Sequence, residues 1–223
     1  NTKIPVLGHA GGVCHVYVDR DADLEMAVKV AADAKMQYPA VCNAMETLLV
    51  HKDVAKEFLP MINEVFVGGG VEVRADPKSK KYMEGAIDAS EGDWYEEYGD
   101  LTVAVKTVGS LREAVEFINE HGSHHTDAII TLDRGAMSYF VGNVDSADVM
   151  VNASTRFADG FRYGKGAEVG ISTNKIHSRG PVGMEGLMIY KYVLLGEGQV
   201  VGDYSGKDAK KYTHREIGRK LDL

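Results

Sequence analysis

The stretch DAKMQYPAVCNAMETLLVH, residues 33–51, sets the pattern that repeats along the whole chain. It begins inside a helix predicted over residues 21–36, where apolar residues recur at helical spacing. Pro39 excludes further regular helix, and the apolar run after Cys42 predicts a strand over residues 46–51. A helix, a short loop and a buried strand in this order are typical of a layered α/β fold.

The same alternation continues on both sides of this stretch. The predicted strands are 13–18, VEVRA (71–75), LTVAVKTV (101–108), DAIITLD (127–133) and DVMVNAS (148–154), and the predicted helices are VAKEFLPMINEVF (54–66), SLREAVEFINEHG (110–122) and DRGAMSYFVGNV (133–144). Residues 76–97 are polar and poorly periodic, 157–173 are a Gly-rich loop, and the run 186–201 predicts one long strand. Strands that alternate with helices predict an α/β fold with a largely parallel sheet.

The composition describes an ordinary globular chain of 223 residues, long enough for one or two domains. Its net charge of -8 argues against a nucleic-acid partner. Apolar runs are too short for a membrane span, and no signal peptide opens the sequence. Two cysteines are too few for a disulfide framework and predict a reducing, cytoplasmic location. The chain begins at Asn1 as if within a domain, so we expect a longer polypeptide.

Cys42 is the first candidate for chemistry, because a thiolate is well suited to attack an activated acyl group. Its loop joins a helix to a strand, a place where catalytic groups are commonly held. The competing interpretation is a buried structural thiol, which is common for free cysteine. The sequence shows no residue that would activate Cys42, since Lys35 lies at least one helical turn away.

Histidine, glycine and charge clusters give weaker signals. His121, His124 and His125 stand close together but lack Cys or Glu at zinc spacing, so a polar loop is favoured and no metal site is predicted. The glycines of LGHAGG and VGGG match neither GxGxxG nor the P-loop. Glu96 and Glu97 are adjacent and point apart, so at most one serves a given site.

Two arginines bracket an acid in the Gly-rich loop. Arg156 and Arg162 lie on either side of Asp159 and could clamp a carboxylate through two hydrogen bonds. An exposed loop with solvated charges is the alternative interpretation.

Taken together, segments that follow one another along almost the whole chain resemble one family. They are IPVLGHAGGVCHVYVD, DAKMQYPAVCNAMETLLVH, INEHGSHHTDAI, VNASTRFADGFRYGKGAEVGIST and HSRGPVGMEGL. They resemble the carboxyl-terminal half of the γ-glutamyl phosphate reductases of proline biosynthesis, members of the aldehyde dehydrogenase superfamily. The segment GQVVGDYSGKDAKKYTH is more similar to eukaryotic members of the family.

The resemblance implies an aldehyde dehydrogenase-like organisation. Residues 1–28 would end a Rossmann-like cofactor domain, residues 29–176 would form the α/β catalytic domain around the cysteine, and residues 177–223 would return and supply an oligomerisation strand. Because the apolar run at 188–195 would leave an exposed edge, we expect a dimer-based homo-oligomer. A chain lacking most of its cofactor domain is expected to be inactive alone.

The resemblance also implies the chemistry. L-Glutamate 5-phosphate would acylate Cys42 with loss of phosphate, and NADPH would reduce the thioester to glutamate 5-semialdehyde. Glu97, Gly8 and His9 would bind the cofactor. The loop carrying Ser154, Thr155, Arg156 and Asp159 would bind the substrate, with Arg156 on its carboxylate and Asp159 on its ammonium group.

Two departures qualify the family pattern. Gly11 replaces an Asp that the family usually carries, and we assign it no role. The segment VLGHAGG lacks the general-base Glu of hydrolytic aldehyde dehydrogenases, which agrees with reduction of an acyl phosphate.

Three alternatives stay open on the sequence. They are the reductase half of a bifunctional pyrroline-5-carboxylate synthase, another cysteine-dependent aldehyde dehydrogenase, and a non-catalytic oligomeric scaffold. A glutamate 5-kinase, as a partner or as a fused domain, is a further expectation of the family resemblance.

Overall fold

A parallel β-sheet flanked by helices dominates the computed structural model, which describes residues 3–9 and 11–216. The chain divides into two compact units, Asn1–Met188 and Ile189–Leu223. The first unit carries the sheet and every candidate residue of the site. The α/β fold with a largely parallel sheet is therefore confirmed.

The seven strands of the main sheet are β1 Cys14–Val18, β2 Met45–His51, β3 Glu72–Ala75, β4 Ile87–Asp88, β5 Thr102–Val108, β6 Thr126–Ile130 and β7 Asp148–Val151. The helices between them are α1 Leu24–Met36, α2 Lys52–Gly68, α3 Pro77–Lys80, α4 Leu111–His121 and α5 Arg134–Asn143. A small antiparallel pair follows, β8 Gly170–Ser172 with β9 Gly180–Val182, and then α6 Met184–Leu187.

The order of strands in the sheet is β4-β3-β5-β2-β1-β6-β7, and all neighbours run parallel. Every residue of β1 and β2 is buried, because helices cover both faces of the sheet. One face packs with α1 and α2 around Phe58 and Phe66, and the other packs with α4 and α5 around Phe117 and Phe140. Because helices pack against both faces of these strands, the positions of the loops at the strand ends are fixed.

Side-chain caps begin α1, α4 and α5. Asp23 accepts a hydrogen bond from the backbone N–H of Met26, so α1 begins three residues later than predicted. Ser110 caps α4 and Asp133 caps α5 in the same way. No helix in the described part of the chain is long and apolar enough to cross a bilayer.

Two predicted segments differ in the structure. Residues 76–97, which are polar and poorly periodic in the sequence, hold α3, β4 and a 3₁₀ turn at Glu91–Tyr95, because elements this short leave no periodic pattern. The long strand predicted over 186–201 is not formed among the described residues, where residues 188–200, after α6, have neither helix nor strand. A strand requires a partner for its backbone groups, and no described residue pairs with this run.

The predicted domain boundaries can be compared with the elements of the structure and with its two compact units. The boundary at residue 28 falls inside α1, and β1 lies within the same sheet as β2, so residues 14–28 pack in the first unit. Residues 177–188, with β9 and α6, belong to that unit as well. Residues 1–2 and 10 of the first predicted domain and residues 217–223 of the last lie outside the described residues. Assignment of the amino-terminal part to a cofactor domain stays a prediction.

Candidate functional site

The amino edge of the sheet gathers residues that are far apart in sequence. Gly12 precedes β1, Cys42 precedes β2, Glu97 precedes β5 and His125 precedes β6. Since neighbouring parallel strands begin at the same edge, these four loops meet there. Cys42 lies in the predicted loop and is half-buried.

The backbone of Cys42 is pressed against the glycine that precedes β1. A Cβ placed on Gly12 would stand 2.0 Å from the Cys42 carbonyl oxygen and 2.5 Å from its Cα. The Sγ of Cys14, in β1, donates a hydrogen bond of 3.2 Å to the same carbonyl. The contacts with Gly12 and Cys14 therefore fix the position of the Cys42 loop relative to β1.

The thiol of Cys42 is protonated at rest. Burial raises its pKa, and the carboxylates of Glu97 and Glu168 raise it further. The thiol's own backbone N–H and the Arg156 guanidinium act in the opposite direction but do not prevail. Nucleophilic attack by Cys42 therefore requires a group that takes its proton.

Two imidazoles lie within reach of the thiol. A ring nitrogen of His9, a ring nitrogen of His125 and the Cys42 sulfur all lie within 4.8 Å of one another. The two rings meet edge to face, with centroids 5.1 Å apart. His9 is exposed, whereas His125 is fully buried.

His125 is held in one orientation as a neutral ring. Its Nδ1 lies 2.7 Å from the Thr126 hydroxyl, and its buried Nε2 has no hydrogen-bond partner among the described residues. Burial, and then the neighbouring His9, lower its pKa to about 4, so the ring is uncharged at neutral pH. The ring thus presents a buried nitrogen without a partner among the described residues.

Glu97 approaches from the loop before β5. Its side chain is exposed, and its Oε2 would lie 3.1 Å from a Cβ placed on Gly11. The Asp usual in the family would therefore bring a second carboxylate against Glu97. Gly8 accepts a hydrogen bond of 3.2 Å from the backbone of Thr173, which ties the segment before β1 to the end of β8.

Asp93 anchors the loop that carries Glu97. It accepts hydrogen bonds from Arg74 Nη1 at 2.8 Å, the Ser90 backbone N–H at 2.6 Å and hydroxyl at 2.7 Å, and the Tyr98 hydroxyl at 2.8 Å. Burial alone would raise the pKa of Asp93, but these donors hold it well below its ordinary value. A carboxylate with this many donors fixes both ends of the loop.

Arg156 reaches toward the Cys42 loop from beyond β7. Its Nε donates to Gln37 Oε1 at 3.0 Å, and its Nη1 donates to Asn43 Oδ1. Asn43 in turn donates to the carbonyl of Ala158 at 2.8 Å. The guanidinium is nearly buried at 9% exposure and lines a cavity of about 740 Å³. The arginine is therefore oriented by residues that flank the cysteine.

The other residues of the predicted substrate loop face different ways. Ser154 accepts from the backbone of Arg156, and the buried Thr155 hydroxyl has no partner in the part of the chain described. Asp159 accepts from the backbone N–H groups of Phe161 and Arg162 at 3.0 and 3.1 Å. Arg156 is brought toward Cys42, whereas Asp159 holds its own loop.

Comparison with known proteins identifies relatives over the whole chain, although no family model matches it. A gamma-glutamyl phosphate reductase of Methanosarcina mazei is 59% identical over 100% of this chain and 51% of its own length. One from Natronomonas pharaonis is 57% identical over 97% of the chain and 50% of its own length. The crystal structure of the Thermotoga maritima enzyme is 48% identical, with a TM-score of 0.85 over 90% of this chain and 48% of that one.

The chain belongs to the gamma-glutamyl phosphate reductase family.

The chain spans about half the length of the curated reductases that it matches. An acetylating aldehyde dehydrogenase of Geobacillus thermoglucosidasius is 17% identical with a TM-score of 0.66, which shows the wider aldehyde dehydrogenase fold alone. The comparisons give no support to a eukaryote-like tail: the yeast reductase is 36% identical, below the archaeal relatives.

The sequence does not predict that His125 lies beside Cys42. Its local pattern favours a polar loop for His125, and the family resemblance implies cofactor binding for His9. One positional signal is present, since His125 immediately precedes a buried strand that neighbours β1. Lys35 is not an activator, because it is tied to Glu46 by a fully buried ion pair of 2.6 Å.

Proposed function

We propose that this chain carries the catalytic thiol of an NADPH-dependent reductase that converts L-glutamate 5-phosphate to L-glutamate 5-semialdehyde. The observation that carries the proposal is the convergence of Cys42, Arg156, Glu97 and two imidazoles at one edge of the sheet, in a chain 59% identical to such reductases. A thiol that can pass its proton to a neighbouring group suits nucleophilic attack on an acyl phosphate.

Acylation begins with transfer of the thiol proton. His9 is exposed, so it can take the proton of Cys42 and pass it to water, whereas charging the buried His125 is costly. The sulfur then forms a bond to the γ-carbonyl carbon of the substrate, the carbon–oxygen bond to phosphate breaks, and phosphate leaves. The product of this step is a thioester on Cys42. The backbone N–H of Cys42 lies against its own sulfur and is placed to donate to the developing oxyanion.

Recognition of the amino-acid end falls to the loop after β7. Arg156 presents a guanidinium already oriented by Gln37 and Asn43, which suits the α-carboxylate. We assign Asp159 to the α-ammonium group, and Ser154 and Thr155 to the wall of the substrate pocket. This division of roles follows the resemblance to the family.

The cofactor site is assigned to Glu97, Gly8 and His9. The missing side chain of Gly11 leaves open space beside the Glu97 carboxylate, which a Cβ would enter at 3.1 Å. That space and that carboxylate fit the hydroxyl groups of a nicotinamide ribose. When bound, NADPH supplies a hydride for reduction of the thioester.

The setting of the reaction is part of the same proposal. Both cysteines are free, which supports a reducing, cytoplasmic location. Apolar side chains such as Ile189 and Leu194 are 98% and 89% exposed, which supports a dimer-based homo-oligomer. The acyl phosphate has to be made by a glutamate 5-kinase, either a separate partner or a fused domain.

The reverse reaction of the intact enzyme tests the proposal. Glutamate 5-semialdehyde and NADP⁺ are mixed with and without phosphate, and NADPH absorbance is followed for wild type, Cys42→Ala and the control Gly142→Ala, which lies in α5 away from the site. We expect phosphate-dependent NADPH formation that disappears only in Cys42→Ala. Turnover without phosphate would indicate a hydrolytic dehydrogenase, and no turnover in wild type would favour a scaffold.

A further inference from the structure

The cluster at Cys42 holds the donor atoms of a metal site that the sequence did not predict. One sulfur and two imidazole nitrogens, from Cys42, His9 and His125, lie within 4.8 Å of one another. Each comes from a different loop at the amino edge of the sheet, and none is a carboxylate or a carbonyl. Soft and borderline donors of this kind select zinc rather than magnesium or calcium.

An independent feature of His125 points to a ligand in the same place. Its ring is fully buried, and its Nε2 has no hydrogen-bond partner in the described chain. Buried polar nitrogens are normally satisfied, so this unpartnered nitrogen of a ring in the cluster indicates a missing partner. The other ring nitrogen, Nδ1, lies 2.7 Å from the Thr126 hydroxyl and can donate its proton there. This is the outer-shell arrangement that frees Nε2 for a metal.

The distances between the three donor atoms need to shorten only slightly for zinc to bind. Zinc–nitrogen bonds of about 2.0 Å and a zinc–sulfur bond of about 2.3 Å place tetrahedral donors roughly 3.3–3.6 Å apart. The donors here lie within 4.8 Å of one another, and the side chain of His9 is exposed. The half-exposed thiol leaves the fourth position open to water.

We propose that Cys42, His9 and His125 bind one Zn²⁺ ion, with water as the fourth ligand. Binding replaces the thiol proton, which leaves to solvent, by a sulfur–zinc bond. The sulfur lone pair that would attack an acyl group is then engaged. Reversible inhibition of the enzyme by zinc follows, and this consequence, unlike the site itself, rests on the proposed function.

Cobalt titration of the reduced chain tests the site directly. Co²⁺ bound to a thiolate gives a charge-transfer band in the near ultraviolet, which we expect to saturate at one equivalent and to be displaced by Zn²⁺. Loss of an outer-shell partner alone costs about 10- to 100-fold in affinity, so Cys42→Ser, His125→Asn and His9→Asn should each weaken binding by at least about 100-fold. His124→Asn is a matched control at a neighbouring histidine and should keep wild-type binding.

A second measurement does not depend on the histidine variants folding. In the Cys14→Ser chain, Cys42 is the single thiol, and saturating Zn²⁺ should slow its alkylation by iodoacetamide more than tenfold. Absence of the cobalt band, its persistence in Cys42→Ser, unchanged binding in His9→Asn, or alkylation unaffected by zinc would each overturn the proposal. Neither readout uses catalysis, so failure of the site and failure of the proposed function are told apart.

Discussion

The contact between Gly12 and the Cys42 loop leaves no room for a methyl group. In Gly12→Ala the new Cβ would stand 2.0 Å from a backbone oxygen that cannot rotate away, so the loop has to shift. We expect the free energy of unfolding to fall by about 1–3 kcal/mol. Turnover of the intact enzyme should fall at least about tenfold, because a displaced nucleophile loses alignment.

Gly142 provides the matched control for this change. It lies in α5, and a Cβ there meets no atom within 4 Å. Gly142→Ala should leave turnover unchanged and should not lower stability, since Ala favours helix over Gly. Equal losses in the two variants, measured by steady-state kinetics and denaturant unfolding, would contradict the role assigned to Gly12.

Substitution of Arg156 tests whether this residue recognises the substrate carboxylate. Arg156→Lys keeps the charge but loses the planar fork that Gln37 and Asn43 orient. If the arginine binds substrate equally in the ground and transition states, the KM for the substrate should rise about tenfold or more while kcat changes little. A fall in kcat at unchanged KM would instead place Arg156 in the chemical step and remove the carboxylate assignment.

At the scale of elements, Asp93 joins the loop carrying Glu97 to the strand β3. Asp93→Asn removes the charge that Arg74, Ser90 and Tyr98 bond. Hydrogen bonds to a charged group are individually strong, so the free energy of unfolding at pH 7 should fall by about 2 kcal/mol. If Glu97 holds the cofactor, the KM for NADP⁺ should rise in the same variant.

The pH dependence of this loss has a definite sign. The pKa of Asp93 is depressed by folding, so its contribution is complete above the unfolded value near 4 and is lost as pH falls through the lower folded value. The stability gap between wild type and Asp93→Asn should therefore be constant from pH 7 to pH 5 and narrow below about pH 4. Urea unfolding across this range checks it, and a gap that widens toward acid would contradict the assignment.

The long buried elements were predictable from sequence, and the short ones were not. The strand expected over 46–51 is β2, Met45–His51, because an apolar run bounded by turn residues suits a strand covered on both faces. By contrast, β4 has only two residues, Ile87–Asp88, both exposed, so no pattern could reveal it. The run at 186–201 has strand composition, but no partner strand lies beside it in the described part of the chain, and composition alone does not supply one.

The residues of the candidate site also differ in how far the sequence predicts their positions. Cys42 could be placed in a junction loop from its local sequence, but His125 could not be placed beside it. Their proximity depends on the order of strands, in which β1 stands between β2 and β6. A sequence that predicts parallel strands without their order leaves the partners at each edge undetermined.

At the scale of the whole molecule, the second compact unit exposes more apolar surface than a stable chain normally leaves in water. Ile189, Tyr192 and Leu194 are 98%, 90% and 89% exposed. Isolated exposed apolar residues need no explanation, but a contiguous apolar segment marks an interface. A second copy of this chain fits the proposal of a homo-oligomer.

The variant Ile189→Lys with Leu194→Lys should therefore dissociate the intact protein. Each substitution places an ammonium group where an apolar side chain would be buried, and an unpaired buried charge is strongly unfavourable. We expect sedimentation velocity to show a dimer or larger species for wild type and a monomer for the double variant. Asp208→Lys, at an exposed polar position in the same unit, changes the net charge equally and should stay associated. Wild-type protein that is monomeric at micromolar concentration, or a double variant that still associates, would show that this segment is not the interface.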